Sequence, residues 1–283
     1  MAYCMWGFAP LYFKLLMFMP AWEILIHRIV WSALLLSLLI VMLKHWGKVR
    51  SGLKQPKLLG ALALSGILLA INWVLFIWAV NNDHLLDASL GYYINPLVNV
   101  FLGRLFLGEK LRLLQNIAVL MALTGVSILI FSFGRLPWIA LVLACSFGLY
   151  GLIRKKVSLD AIPGLFIETS MMLPFAVLFW LFWASPASDM VSNTATTNLL
   201  LIAAGVVTTA PLLCFTAAAQ RIQYSTLGFF QYIGPSIMFI LAIFLYDEPL
   251  DPERLITFGF VWAALVLFSF DSFRQYQQRT QKA

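Results

Sequence analysis

The residues best placed to do chemistry in this chain are amides, hydroxyls and aromatic rings set inside long apolar runs. Gly91, Asn95 and Asn99 recur at intervals of four, so they share one face of a helix. Pro96 interrupts that helix: it cannot donate to the Tyr92 carbonyl, and its ring pushes that carbonyl aside. A freed carbonyl beside two amides can hydrogen-bond a small polar ligand. The design returns as Gly228, Gln231, Tyr232 and Pro235, and Asn72-Trp73 is matched by Thr208-Thr209. Trp73 lies mid-run, away from the interfacial belt that tryptophan favours, so its indole N–H needs a partner there. Trp6-Gly7 and Phe147-Gly148 set an aromatic beside a small residue at equivalent positions. The residues expected to contact a solute are Trp6, Asn72, Trp73, Tyr92, Asn95, Tyr150, Thr209, Gln231 and Tyr232, with Gly91, Pro96, Gly228 and Pro235 as hinges. Amides would orient a polar head and rings would cover an apolar body. No acidic or basic residue sits among them, so the expected solute is neutral or zwitterionic. Asn72 reads equally well as interhelical glue.

Ionisable groups inside apolar runs are few. Glu23 and His27 are four apart and face one another near the start of a run, with Arg28 beside them. They read as an interfacial anchor or cap, since long cations snorkel to the headgroups, or as a small ionic cluster. Glu168 lies opposite in sign to Arg154-Lys155-Lys156; a structural ion pair and a proton-coupling carboxylate are both open. Glu23 and Glu168 are therefore the candidates for proton coupling. Glu109 and Glu248 each follow a proline by thirteen residues and close an apolar run, which reads as structural. No catalytic residues are expected: GxGxxG, Walker, HExxH and GxSxG patterns are missing, and His27, His45 and His84 have no ligand spacing. Cys4, Cys145 and Cys214 lie in apolar runs and read as small packing residues, giving neither a disulfide framework nor a metal pattern. No metal and no cofactor is expected.

The elements that must position these groups follow from composition. Hydrophobic residues are 62% of the chain and charged residues 11%, against roughly 25% charged in soluble domains. Charges cluster between apolar runs of about 20 residues, the length that crosses a bilayer as a helix. The expected fold is an all-α integral membrane protein with ten spans, at 2–18, 22–43, 58–80, 87–107, 113–132, 137–153, 163–183, 199–220, 226–246 and 254–273. Fourteen Lys and Arg fall on the side of the even-numbered connectors and the C-terminus, and three on the other. The positive-inside rule then puts both termini in the cytoplasm, and the net charge of +7 needs no nucleic acid to explain it. The first span begins abruptly, without a basic leader, so no cleaved signal peptide is expected and a few polar residues are expected to precede it.

The two halves repeat. Ser89-Leu90-Gly91-Tyr92 returns 137 residues later as Thr226-Leu227-Gly228-Phe229, and Cys4 with Lys14 aligns with Cys145 and Lys155 at an offset of 141. Ordered matches at a nearly constant offset indicate duplication, here of residues 1–134 into 135–283, with the boundary near Arg135. Five spans per half is an odd number, so the halves must cross in opposite directions.

The five-span half, with its proline thirteen residues before a closing Gly-Glu, resembles the EamA module of the drug/metabolite transporter superfamily. Trp6-Gly7, His27-Arg28, Asn72-Trp73, the segment Ala88 to Asn99, Arg154-Lys155-Lys156 and Leu227 to Pro235 look like RarD-type permeases. Asp247-Glu248 departs from the usual Gly-Glu. The resemblance covers essentially the whole chain. It implies a multi-pass carrier of the bacterial inner membrane moving a small organic solute, with its pathway chiefly among spans one, three, four, six, eight and nine. Inverted repeats with matched broken helices suit alternating access; a ligand-binding scaffold or sensor is the other reading. The bilayer and the solute are the expected partners, and a monomer is the expected state.

Overall fold

A computed structural model of the full chain describes residues 1–82, 84–134, 137–246 and 252–280. Among these the secondary structure is helical: α1 (Ala2–Lys14), α2 (Ala21–Met42), α3 (Trp46–Leu53), α4 (Pro56–Asn81), α5 (Leu85–Leu107), α6 (Leu113–Phe133), α7 (Trp138–Lys156), α8 (Ala161–Trp183), α9 (Ala195–Arg221), α10 (Tyr224–Gln231), α11 (Ile233–Tyr246) and α12 (Pro252–Thr280), with a 3-10 turn at Pro186–Ser188. Eight segments of the described chain are long and apolar enough to cross a membrane, counting α10 and α11 as one. The chain is a multi-pass membrane protein.

Local chemistry sets the ends. Gly108 (φ 63°) and Gly134 (φ 70°) close α5 and α6 in the left-handed region, where glycine carries no Cβ penalty. The Thr194 hydroxyl accepts from the Thr197 N–H to start α9. Asp160 precedes α8 and pairs with Lys48 of the α3 connector, and that hydrogen bond holds its carboxyl below the usual carboxylate range.

Three elements differ from expectation. Helix α1 stops at Lys14, four residues early, and Leu16 and Met19 then turn inward to pack with Ile24 and Leu201. The connector after α2 contains an eight-residue helix, α3, whose Val49 joins a cluster with Leu159 and Ile167. The expected span 226–246 is two helices broken at Tyr232. Pro235 has no N–H for the Gln231 carbonyl, so the helical ladder is interrupted there. Pro96 removes the equivalent bond in α5, yet α5 runs on unbroken.

Packing joins the halves more than it closes either one. The most extensive contacts are α5 on α7, α6 on α12, α2 on α8 and α9, α4 on α7, α5 on α10 and α1 on α11. Exchange each element for the one that the expected sequence repeat would pair with it, α1 for α7, α2 for α8, α4 for α9, α5 for α10–α11 and α6 for α12. Every one of those partnerships then becomes itself or another contact observed here. Two crossings need glycine. A Cβ on Gly205 would stand 2.6 Å from the Trp31 carbonyl carbon, where α9 crosses α2, and one on Gly228 would stand 2.9 Å from the Pro96 carbonyl oxygen, where α10 crosses α5.

Candidate functional site

Four helices enclose a small cavity: α2, α4, α8 and α9. Its volume is about 10 Å³, room for one water at most. Arg28, Ser32, Trp73, Thr169, Thr208 and Thr209 supply its polar wall and Leu69, Leu165 and Leu212 part of its apolar wall. Arg28 stands seven residues into α2, roughly 10 Å along its axis. Its Nε donates to Thr208 Oγ1 at 2.8 Å. Its Cζ lies 4.7 Å from the centroid of the Trp73 ring and 5.5 Å from that of Phe13. The other polar neighbours are the phenols of Tyr12 and Tyr92. The expectation that no charge sits at this depth is therefore corrected: the guanidinium reaches inward to Trp73 and Thr208 instead of snorkelling outward. The signal was available, because a cation inside an apolar run marks function by default.

Of the residues expected at the site, Trp73 and Thr209 line this cavity. Thr209 is fully buried and its Oγ1 has no hydrogen-bond partner among the described residues. Trp6 packs among Tyr3, Phe147 and Phe215, next to the cavity helices. Tyr92 packs edge-on against Phe76, is 37% exposed, and its phenol neighbours Arg28.

The remaining amides and phenols hold helices together. Asn72 Nδ2 donates to Leu143 O at 2.8 Å and Ser146 Oγ at 2.9 Å, tying α4 to α7. Asn95 Nδ2 donates to Ala144 O at 2.5 Å. Asn99 Nδ2 donates to Asn95 Oδ1 at 3.2 Å and Gln231 Oε1 at 2.9 Å. The Tyr224 hydroxyl shares its proton between Gly148 O at 2.6 Å and Asn99 Oδ1 at 2.9 Å. This seam joins α5, α7 and α10. Tyr232, at the break, donates to Tyr93 O at 3.2 Å. Tyr150 is fully buried and faces Thr216. Gly91 lets α5 approach α7, with Ala140 O 3.2 Å from where its Cβ would be.

Glu23, Glu168 and Glu109 each have fixed partners among the described residues. Glu23 is fully buried and accepts from Ser185 N and Ser185 Oγ, both at 3.0 Å, and from Ser188 Oγ. It caps the turn after α8. His27 stacks edge-on against Trp180 and accepts from Trp31 Nε1 at 3.3 Å. Glu168 and Arg154 are both fully buried, with Nη1 and Oε1 3.6 Å apart, and Ser65 Oγ also donates to Glu168. Glu109 accepts from Tyr224 N at 2.6 Å and Ser225 N at 2.8 Å, capping α10. Glu248 lies outside the described residues. The described residues contain no cluster of three metal-ligating side chains.

Residues 1–131 and 136–270 each match the EamA-like transporter family. A Vibrio cholerae protein described as an uncharacterized transporter is 54% identical over 96% of this chain and 91% of its own length. Protein RarD of Salmonella typhimurium is 52% identical over 98% and 94%, and Protein RarD of Escherichia coli 50% over 99% and 95%. A solved crystal structure has the same fold, with a TM-score of 0.72 over 97% of this chain and 96% of that one, at 15% identity.

Proposed function

The chain belongs to the EamA-like transporter family as a RarD-type member, and from that premise we propose that it is a secondary carrier exposing one central solute site alternately to the two sides of the bacterial inner membrane. The observation that carries this reading is the cavity enclosed by α2 with α8 and α4 with α9, counterpart pairs from the two halves. A site at the meeting of two related halves stays in place while they rock around it.

The exchange of packing partners between halves supports an inverted repeat of residues 1–134 and 135–283, with ten spans. The Lys and Arg distribution supports cytoplasmic termini. In this reading Trp73 and Thr209 contact the solute. Trp6 and Tyr92 meet it as the helices part. Asn95, Gln231 and Tyr232 form a seam that holds through the motion, Tyr150 backs it, and Gly91, Pro96, Gly228 and Pro235 allow α5 and α10–α11 to bend. A cavity of about 10 Å³ corresponds to a closed form between the two open ones.

Counter-flow in proteoliposomes against amino acids, organic acids, amphiphilic antibiotics and nucleobases tests the proposal. Accumulation of labelled solute driven by unlabelled solute on the far side is the expected result. Saturable binding of a solute that shows no counter-flow would make the protein a ligand-binding scaffold.

A further inference from the structure

Among the described residues, the positive charge of Arg28 has no carboxylate paired with it. Glu23, on its own helix, is spent on Ser185 and Ser188, and Glu168, on the neighbouring α8, is spent on Arg154 and Ser65. The protein gives the guanidinium one hydrogen bond, from Nε to Thr208, and the faces of Trp73 and Phe13. Among the described residues, neither terminal amine makes a protein hydrogen bond. A cation held in a bilayer is normally paired or excluded, and a ring face replaces only part of an anion.

A second polar group points the same way. Thr209 Oγ1 lines the same cavity, fully buried and unpartnered. Buried hydroxyls in native proteins are nearly always satisfied. The terminal amines of Arg28 and the hydroxyl of Thr209, none with a hydrogen-bond partner among the described residues, share one cavity beside the apolar side chains of Leu69, Leu165 and Leu212.

We propose that the cavity is the subsite for a carboxylate: the Nη1 and Nη2 edge of Arg28 holds it in bidentate fashion, Thr209 donates to it, and the apolar wall receives the body of a small organic acid. Nε is already fixed by Thr208, so the end-on edge is presented in one orientation, which suits a planar carboxylate. This inference rests on the carrier reading for the site's location and sharpens its solute class. A zwitterion fits through its carboxylate end, whereas a solute lacking any anionic group does not.

The test measures binding to the purified full-length protein in detergent, by melting temperature and tryptophan fluorescence. The probes are isovalerate against isovaleramide, phenylalanine against phenylalaninamide, and inorganic phosphate. At least one acid should bind tenfold or more tightly than its amide. Arg28→Gln should abolish that preference and melt higher than the parent without ligand, because it removes an uncompensated charge. Arg28→Lys should keep the charge but lose roughly tenfold in acid affinity with the bidentate edge. Thr209→Val, which needs no charge change to fold, should weaken the acid and leave the amide unaffected. Equal affinity for acid and amide, an acid preference that survives Arg28→Gln, binding of phosphate alone, or no binding by any probe would overturn the proposal. Carboxylate binding without counter-flow would sink the carrier reading and leave the subsite standing. Counter-flow of amides at a rate unaffected by Arg28→Gln would do the reverse.

Discussion

Asn99 uses both polar atoms of its side chain on its own helix and on α10 at once, and its neighbours depend on it for their own satisfaction. Asn99→Ala leaves Asn95 Oδ1 and Gln231 Oε1 buried without a donor, a cost of about 1–3 kcal/mol. The expected outcome is a lower melting temperature with unchanged solute affinity, read by thermal unfolding and ligand titration on one sample. Glu168 belongs to a harsher class. Neutralising one member of a buried pair strands the other, at about 3–5 kcal/mol, so Glu168→Gln should lose pH-driven uptake and equal-pH exchange together as folded protein is lost. Loss of the first alone, with normal expression, would instead make Glu168 a proton carrier. At this scale the sequence shows which residues are unusual but not which way they turn. The spacing of Gly91, Asn95 and Asn99 identifies a true shared face, and that face meets α7 and α10. Nothing in the spacing of one helix tells a neighbour from a ligand, because an amide in a bilayer satisfies itself equally well on either.

Helices were the most legible elements, since a bilayer forces each apolar run to close its own hydrogen bonds. Two features escaped for physical reasons. The α3 segment, Trp46–Leu53, mixes Lys48 and Arg50 with Val49, and its helix depends on tertiary contact with α8 that no local pattern reveals. The break at Tyr232 and the continuity at Pro96 arise from the same residue type, so surrounding packing decides between them. Pro235→Ala restores an N–H to the Gln231 carbonyl and should fuse α10 with α11. Membrane insertion and yield should be near normal while counter-flow falls; full counter-flow in this variant would show that the break only shapes packing.

At the scale of the molecule, orientation is open to a direct measurement. Ser51 and Ser192 are both exposed, on connectors expected to face opposite sides. Gly52, although adjacent, is unsuitable, because a Cβ there would meet Leu159 at 3.1 Å and Ile167 at 3.2 Å. With the three native cysteines replaced, Ser192→Cys in intact cells should react with an impermeant thiol reagent and Ser51→Cys should not. The opposite pattern would invert the topology.

The interlocking of the halves also sets a timetable for assembly. Helix α6 finds its main partner in α12, which begins about 120 residues later. At roughly 5–20 residues per second of synthesis, α6 waits about 6–24 s in the membrane with that face against lipid. During this interval the nascent chain has its apolar runs inserted but lacks the contacts that make it compact. Ribosome stalling or truncation before α12 therefore leaves a membrane-inserted species open to quality-control proteases.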